Sequence, residues 1–533
     1  MRTRDDRPSR PVGRAARRGH PLPLARPQPA ATVPVRASAR ARPFRPLPPL
    51  APGPGASGAR TALDLANAEA RGPDGSGNGV YLGSTGAGRA WSGRERSTLV
   101  LGPSRSGKTS SIIVPNVLVA PGPVLSTSTK ADVLHQTLGE RSRAGWCMLF
   151  DPSGSVDVPE GVHRIGWSPV AASAQWDDAL RTADAMVRTA RGRTDGMVGA
   201  GPEGHWAERA SALLAPLLHA AALDAVPMRT VLRWVDRHDG ARALDVLAAS
   251  DDPSRAIAAD VLAGILTTDD REQSGIWSTA SGVLSAYRST AALASTEPPF
   301  LDPAHFCAGR DTLYVCSPGA HQQALAPLVV GMLAQVRDAA YQRARDSTRR
   351  QPPVLFALDE AANIAPLPDL PAIVSEGAGQ GLLTLACLQD LSQARARWGS
   401  QADAFVSLFG TSVVLGGIAD MRTLDALSAL SGDHEVRSRA VGQTRGLGGR
   451  QVSTNDSVVL RRRLPVDVIA RGVDGCALTV DARNRMGWVR LTPAHASWPW
   501  CEARGLDRSR DRWPPPSAAA GRSWPPPGGW GRG

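Results

Sequence analysis

Residues 97–116 read STLVLGPSRSGKTSSIIVPN, and the fold follows from how this stretch divides. The apolar run STLVLG has the aliphatic, β-branched content of a buried strand. Gly102-Pro103-Ser104-Arg105-Ser106-Gly107-Lys108-Thr109 then fits G-x-x-x-x-G-K-[ST] in full, Ser110 follows it, and Lys108 to Val119 reads as a helix. In such a loop the glycines let the backbone curl so that successive N–H groups face a β-phosphate, and the helix N-terminus adds its positive pole. Lys108 is placed to reach the β- and γ-phosphates, and the Thr109 hydroxyl to coordinate Mg²⁺. A match of this kind arises by chance in many chains, but here a strand precedes it and a helix follows. We therefore read Gly102–Ser110 as the binding loop for a nucleoside triphosphate, with ATP and Mg²⁺ as the expected cofactors.

Working outward, GPVLSTS (122–128) and GWCMLFD (145–151) read as short buried strands with a helix near Ala131–Arg141 between them, the strand–helix–strand spacing of a parallel sheet. From Pro169 to Pro299 strand signals vanish and Ala and Leu recur at helical spacing, as in HWAERASALLAPLLHAAAL. Trp176, Trp206, Trp234 and Trp277 fall within this segment and are expected to pack its core. Strand patterns resume at DTLYVCS (311–317), PVLFALDE (353–360), GLLTLACLQ (381–389) and TSVVLGG (411–417), with a long helix from about Gln322 to Ala344 and a closing hairpin, CALTVDA and MGWVRLT.

VLFALDE carries the second half of the chemistry. An apolar strand that ends in Asp359-Glu360 delivers both carboxylates to the edge of the sheet where the phosphate loop begins. Asp359 is read as holding Mg²⁺ through water, and Glu360 as the general base that orients the attacking water. LLTLACLQ ends at Gln389, a position from which a polar side chain can sense a γ-phosphate. Arg437, Arg439, Arg445 and Arg461-Arg462-Arg463 are candidates for a cation supplied to a neighbouring subunit, or for solvated or phosphate-bound charge. TKAD (129–132) and DPSG (151–154) look like the base-reading and switch motifs of a GTPase, but they occur in the reverse order, the base-reading one coming first and only about twenty residues beyond the loop. That order excludes the GTPase reading.

The chain has 533 residues and a net charge of +12, and the charge is mostly a tail. Residues 1–50 hold 12 Arg against 2 Asp, a balance of +10, together with 11 Pro and no apolar periodicity. Such a segment is expected to be disordered, either a solvated extension or an arm drawn to nucleic-acid phosphate or an anionic membrane. No apolar segment follows the arginines, which excludes a secretory signal. Ala210–Leu223 and Ala404–Ala419 are the most apolar runs, and both fall short of a membrane span. Six scattered cysteines with no C-x-x-C pair fit a reducing compartment.

Several of these segments together resemble the type IV secretion coupling proteins, the TraD/TraG family of conjugative DNA-transfer ATPases. The resemblance runs from about Val80 to Pro493 and rests on LGPSRSGKTSSIIVPNVL, VLSTSTKADVL, LFDPSG, WSPV, HWAERASALLAPLLHAA and above all LDEAANIAPLPDLPAIVSEGAGQGLLTLACLQDLSQARARWG. It implies an α/β fold: a RecA-like P-loop NTPase domain with a parallel-type sheet, interrupted by an all-α insertion domain. The expected boundaries are a disordered Arg/Pro-rich tail at 1–58, the first nucleotide-binding part at 59–168, the all-α domain at 169–300, the second part with a TraM-recognition-like region at 301–503, and a disordered Pro/Gly/Trp tail at 504–533.

The resemblance further implies a homo-hexamer at the inner, cytoplasmic face of the membrane that drives single-stranded DNA with its attached relaxase into a type IV secretion channel. ATP would lie between subunits, against Gly102–Ser110, Asp359, Glu360 and Gln389. The chain departs from the family in two places. It shows no transmembrane segment, which leaves either a truncated or mis-started gene or reliance on a separate membrane partner, and Ser128-Thr129-Lys130-Ala131 lacks the Asp and Gly that many members place around the lysine. The alternatives are a septal-type double-stranded DNA translocase, a protein-secretion ATPase, or a nonhydrolytic ATP-binding module that docks secretion substrates.

Overall fold

The computed structural model describes residues 62–191, 202–249, 252–318, 322–348, 350–446 and 449–504. Most of the expected tails, residues 1–58 and everything after Arg504, lie outside the described residues. Strands β1 (Tyr81–Thr85), β2 (Gly88–Trp91), β3 (Thr98–Leu101), β4 (Val124–Ser128), β5 (Cys147–Phe150), β6 (Val162–Arg164), β7 (Thr312–Cys316), β8 (Val354–Leu358), β9 (Leu382–Leu388) and β10 (Thr411–Leu415) are followed by a separate ribbon, β11 (Asp433–Gly446) and β12 (Gly449–Arg462), and then by β13 (Cys476–Asp481) and β14 (Met486–Arg490). All but the ribbon form one twelve-stranded sheet in the order β2-β1-β14-β13-β10-β3-β9-β8-β4-β7-β5-β6.

From β10 to β6 every neighbour is parallel. The antiparallel additions lie at one edge, where β13 pairs with β10 and with β14, and the β1–β2 hairpin closes the row. Parallel strands are covered on both faces and so read as unbroken apolar runs; TLVL, CMLF, VLFAL and LLTLACL are buried throughout. The pleat then sorts alternate residues to opposite faces. Leu99, Leu101, Val354, Phe356 and Leu358 join one core cluster, whereas Val100, Leu355 and Ala357 join the other.

The two faces carry different helices. Val114–Val119 and Asp132–Ala144 cover the face that holds Val100, and the helical run from Trp176 to Ala308 joins the cluster that holds Leu99. That run enters after β6 and leaves before β7, so an all-α insertion interrupts an α/β, RecA-like sheet. Its tryptophans pack as the periodicity implied: Trp176, Trp234 and Trp277 are buried, and Trp206 lies against the same cluster. Among the described residues no helix is long and apolar enough to cross a membrane.

The β11–β12 ribbon has no counterpart in the sequence reading, which noted only its arginines. It pairs one-to-one from Asp433↔Arg462 to Gly446↔Gly449. The signal for a hairpin stands in the sequence, where residues 446–449 read Gly-Leu-Gly-Gly between the two paired strands. Leu460 is 67% exposed and Val458 58%, so the ribbon stands away from the main core.

Candidate nucleotide site

Three strand ends meet at the C-terminal edge of the parallel block, the edge where open α/β sheets bind ligands. β3 runs into Gly102, β8 into Asp359 and β9 into Gln389, and the register pairs Leu101 with Leu388 and Leu358 with Ala386. β9 therefore lies between the phosphate-loop strand and the acidic strand. The Gly102 N–H donates to the Leu388 carbonyl at 3.2 Å, tying the loop to β9.

The loop is built to leave room. A β-carbon on Gly102 would stand 2.8 Å from Ser106 Oγ and 3.0 Å from Leu415 Cβ, and Gly107 has φ +90, where a side chain is strained. Arg105, exposed at the tip with Ser104, also has positive φ. Ser106 Oγ is buried with no hydrogen-bond partner among the described residues, an orphaned polar atom within the loop. Lys108 is only 5% exposed, and its ammonium folds back on its own loop to donate to the Gly102 carbonyl and, at 2.8 Å, to the Pro103 carbonyl.

Beyond Lys108 the chain winds one wide turn, Thr109–Ile113, in which the Val114 N–H reaches back to the Thr109 carbonyl. Pro115 accounts for it: with no N–H, it cannot bond the Ser111 carbonyl, and the helix takes an extra residue before it settles into Val114–Val119. Asn116 is buried and structural. Its amide donates to the Tyr81 and Ile112 carbonyls at 2.9 Å each, and its Oδ1 accepts from the Tyr81 N–H at 2.7 Å. The VPN that follows the loop thus fastens β1 to the loop helix.

The acidic strand completes the site. The Thr109 hydroxyl donates to Asp359 Oδ2 at 2.5 Å across 250 residues of sequence, and the Thr127 hydroxyl donates to the Asp359 carbonyl at 3.0 Å. Asp359 is 6% exposed. Burial, then the neighbouring Glu360 charge, raises its carboxyl above the usual range, against the pull of the Thr109 hydrogen bond and the Lys108 charge. Glu360 is half-buried, has left-handed backbone angles (φ 53, ψ 47), and accepts from Asn363 Nδ2 at 3.1 Å. The residues present fit a phosphate chain and a divalent cation: amide cradle, orphaned hydroxyl, buried ammonium, and a hydroxyl–carboxylate pair at one point.

Gln389 is half-buried at the end of β9, and its N–H donates to Gln393 Oε1 at 2.9 Å. Its placement beside Gly102 and Asp359 follows from the register of β9. The arginines are elsewhere. Arg437, Arg439, Arg461 and Arg462 stand on the ribbon, where Arg439 pairs with Asp456 and Arg462 with Asp433 at 2.9 Å each. Arg463 follows, donating to the Asp433 carbonyl at 3.2 Å, and Arg445 pairs in register with Arg450 beside the turn.

The two GTPase-like tetrapeptides have local roles. The buried Asp151 carboxylate accepts from the N–H groups of Ser153, Gly154 and Val156 and so folds its own turn, and Asp132 begins the helix to Ala144. Lys130 is exposed, and its N–H donates to Ser128 Oγ at 3.3 Å.

Sheet order, phosphate loop and acidic strand end define a P-loop NTPase of RecA-like fold. Solved structures of the bacterial conjugative coupling protein TrwB share that fold. A trigonal form with sulphate matches at TM-score 0.57 and 21% identity over 77% of this chain and 89% of that one. A complex with ADP and Mg²⁺ matches at 0.55 and 22% (75% and 86%), and one with a non-hydrolysable ATP analogue at 0.54 and 21% (75% and 86%). No curated protein matches the chain. Residues 353–471 match the family model described as the TraM recognition site of TraD and TraG. That segment lies within the stretch on which the sequence resemblance to the TraD/TraG family rests.

Proposed function

We propose that the protein is the ATP-driven coupling protein of a conjugative type IV secretion apparatus, recruiting single-stranded DNA with its relaxase and moving it into the channel. The observation that carries the hydrolytic part is the Thr109–Asp359 contact, which brings the end of the phosphate loop onto the acidic strand end beside Glu360. The DNA-transfer part rests on the family match over residues 353–471. It is supported by the likeness in fold to TrwB, whose structures include complexes with ADP and Mg²⁺ and with an ATP analogue.

On this reading the amides of Gly102–Ser110 cradle the phosphates, and Lys108 leaves the Gly102 and Pro103 carbonyls for the β- and γ-phosphates. The Thr109 hydroxyl and Asp359 would hold Mg²⁺, which would supply charge neutralisation at the phosphates. Glu360 orients a water for in-line attack and takes its proton as the new oxygen–phosphorus bond forms and the bond to the β-phosphate oxygen breaks. Gln389 reports the γ-phosphate to β9. Hexameric assembly, a separate membrane partner and a position at the inner face of the membrane belong to the same proposal, as do the domain limits stated from the sequence.

The test is ATP turnover with and without DNA. Stimulation by single-stranded over double-stranded DNA is expected, with turnover falling about a hundredfold or more in Glu360→Gln. Stronger stimulation by double-stranded DNA would favour a septal-type translocase. Tight ATP binding without turnover in the wild type would sink the motor reading and leave the docking module.

A further inference from the structure

Glu360 has a single side-chain partner among the described residues, Asn363. The Asn363 amide donates to Glu360 Oε2 at 3.1 Å while its backbone N–H donates to the Glu360 carbonyl at 2.9 Å. The clasp closes around a residue in the left-handed region (φ 53), a conformation that a β-carbon disfavours and that persists only where surrounding structure imposes it. β8 ends at Leu358, the chain turns sharply at Glu360, and Ala361–Ile364 begins at once, which brings Asn363 back over the carboxylate.

The choice of side chain matters chemically. A lysine or arginine here would pin the carboxylate with an opposite charge and compete with a water for it. A neutral amide donor fixes Oε2 and leaves Oε1 with no partner among the described residues, open to a water. We infer that Asn363 is a positioning residue for Glu360, holding one carboxylate oxygen so that the other is presented to the attacking water. This rests on the hydrolytic reading above and adds to it a residue that the sequence motifs do not mark.

The segment that carries Asn363 is anchored without it. Ile364, Leu367 and Leu370 are buried, Trp398 Nε1 donates to the Leu367 carbonyl at 2.8 Å, and Asp369 pairs with Arg188 at 2.7 Å. Asn363→Ala therefore removes a donor without freeing the chain. Asn363→Asp keeps the shape, and an acidic residue in the first turn suits the helix dipole, but it sets a carboxylate against a carboxylate. A merely structural asparagine would be replaced better by Asp than by Ala; a positioning one, worse.

The experiment uses the full chain and measures kcat and KM for ATP, affinity for a non-hydrolysable ATP analogue, and melting temperature, for Asn363→Ala and Asn363→Asp, each alone and combined with Glu360→Gln. The expected result is a kcat lowered about tenfold by Ala and further by Asp, with KM and analogue affinity within about twofold. In the Glu360→Gln background neither substitution should change the residual turnover. The inference is overturned if Asp outperforms Ala, if kcat is unchanged in both, or if the substitutions lower the Glu360→Gln turnover by the same factor as the wild type. A wild type that binds the analogue but turns over no ATP overturns the hydrolytic reading itself, and this inference with it.

Discussion

Two buried cations lie at opposite edges of the same parallel block and are held in opposite ways. At the N-terminal edge Arg141, 1% exposed, spreads its guanidinium over four acceptors on two segments: Thr312 Oγ1 at 2.7 Å and the carbonyls of Ala120 (2.9 Å), Gly122 (3.1 Å) and Arg310 (2.8 Å). The Ala120 carbonyl ends the phosphate-loop helix, where the dipole welcomes a cation. At the C-terminal edge Lys108 is nearly as buried, yet both of its partners are carbonyls of its own loop, six and five residues back. A rigid fork saturated by distant segments is a completed piece of structure. A flexible ammonium resting on its own loop exchanges partners at little cost, and phosphate is the partner that the cradle offers.

That difference predicts a dissociation between activity and stability, and the largest effect belongs to the loop. Lys108→Ala is expected to lower ATP kcat/KM by about a hundredfold to a thousandfold, since it removes a preorganised cation from transferring phosphate. The nucleotide-free melting temperature should stay within about 1 °C, because the truncated side chain leaves room for water to reach the freed carbonyls past the exposed loop tip, Ser104 and Arg105. Arg141→Met should do the reverse. Three carbonyls and a hydroxyl lose a buried donor, which costs about 3 kcal/mol, or roughly 3 °C in melting temperature at this size. Turnover per folded molecule should stay within about twofold. If thermal melting finds Lys108→Ala as unstable as Arg141→Met, the contrast fails.

One member of this pair was legible in the sequence and the other was not, for a physical reason. The phosphate loop is contiguous, so its chemistry is spelled in eight residues, and the apolar runs that place Asp359 and Gln389 at strand ends are also local. Arg141 works through acceptors at 120, 122, 310 and 312, and nothing in GERSRAG announces that one of its two arginines is buried and the other exposed. Asn116 and Asp151 were quoted in motifs, but only coordinates reveal that each organises its own neighbourhood. Asn363 stands between the two cases. It is three residues from Glu360 and visible in DEAAN, but the left-handed turn that makes the two meet cannot be read from composition. The ribbon was missed because its alternation is diluted by arginine and serine, although its glycine turn was plain.

Asp359 sharpens the comparison from the side of the anion. Like Lys108, it is buried with less compensation than a finished structural charge receives: the Thr109 hydroxyl and the Glu360 N–H on its carboxylate, with the Glu360 charge beside it. Its carboxyl is raised in the fold above the ordinary value of 3.8, first by desolvation and then by Glu360. A raised acid binds its proton more tightly folded than unfolded, so the protein loses stability as pH climbs from the ordinary value through the raised one. Asp359→Asn removes that loss while keeping an acceptor for Thr109. The nucleotide-free variant should therefore melt higher than the wild type at pH 7. The gain should fade below the ordinary carboxyl value, where Asp359 is protonated in both states. Mg²⁺-dependent nucleotide affinity should fall in the same variant, separating the role of the charge from the stability of the fold. Calorimetry across pH decides it: a variant less stable than the wild type at pH 7 would mean that the Thr109–Asp359 contact is finished structure, like Arg141, rather than a site held ready for a cation.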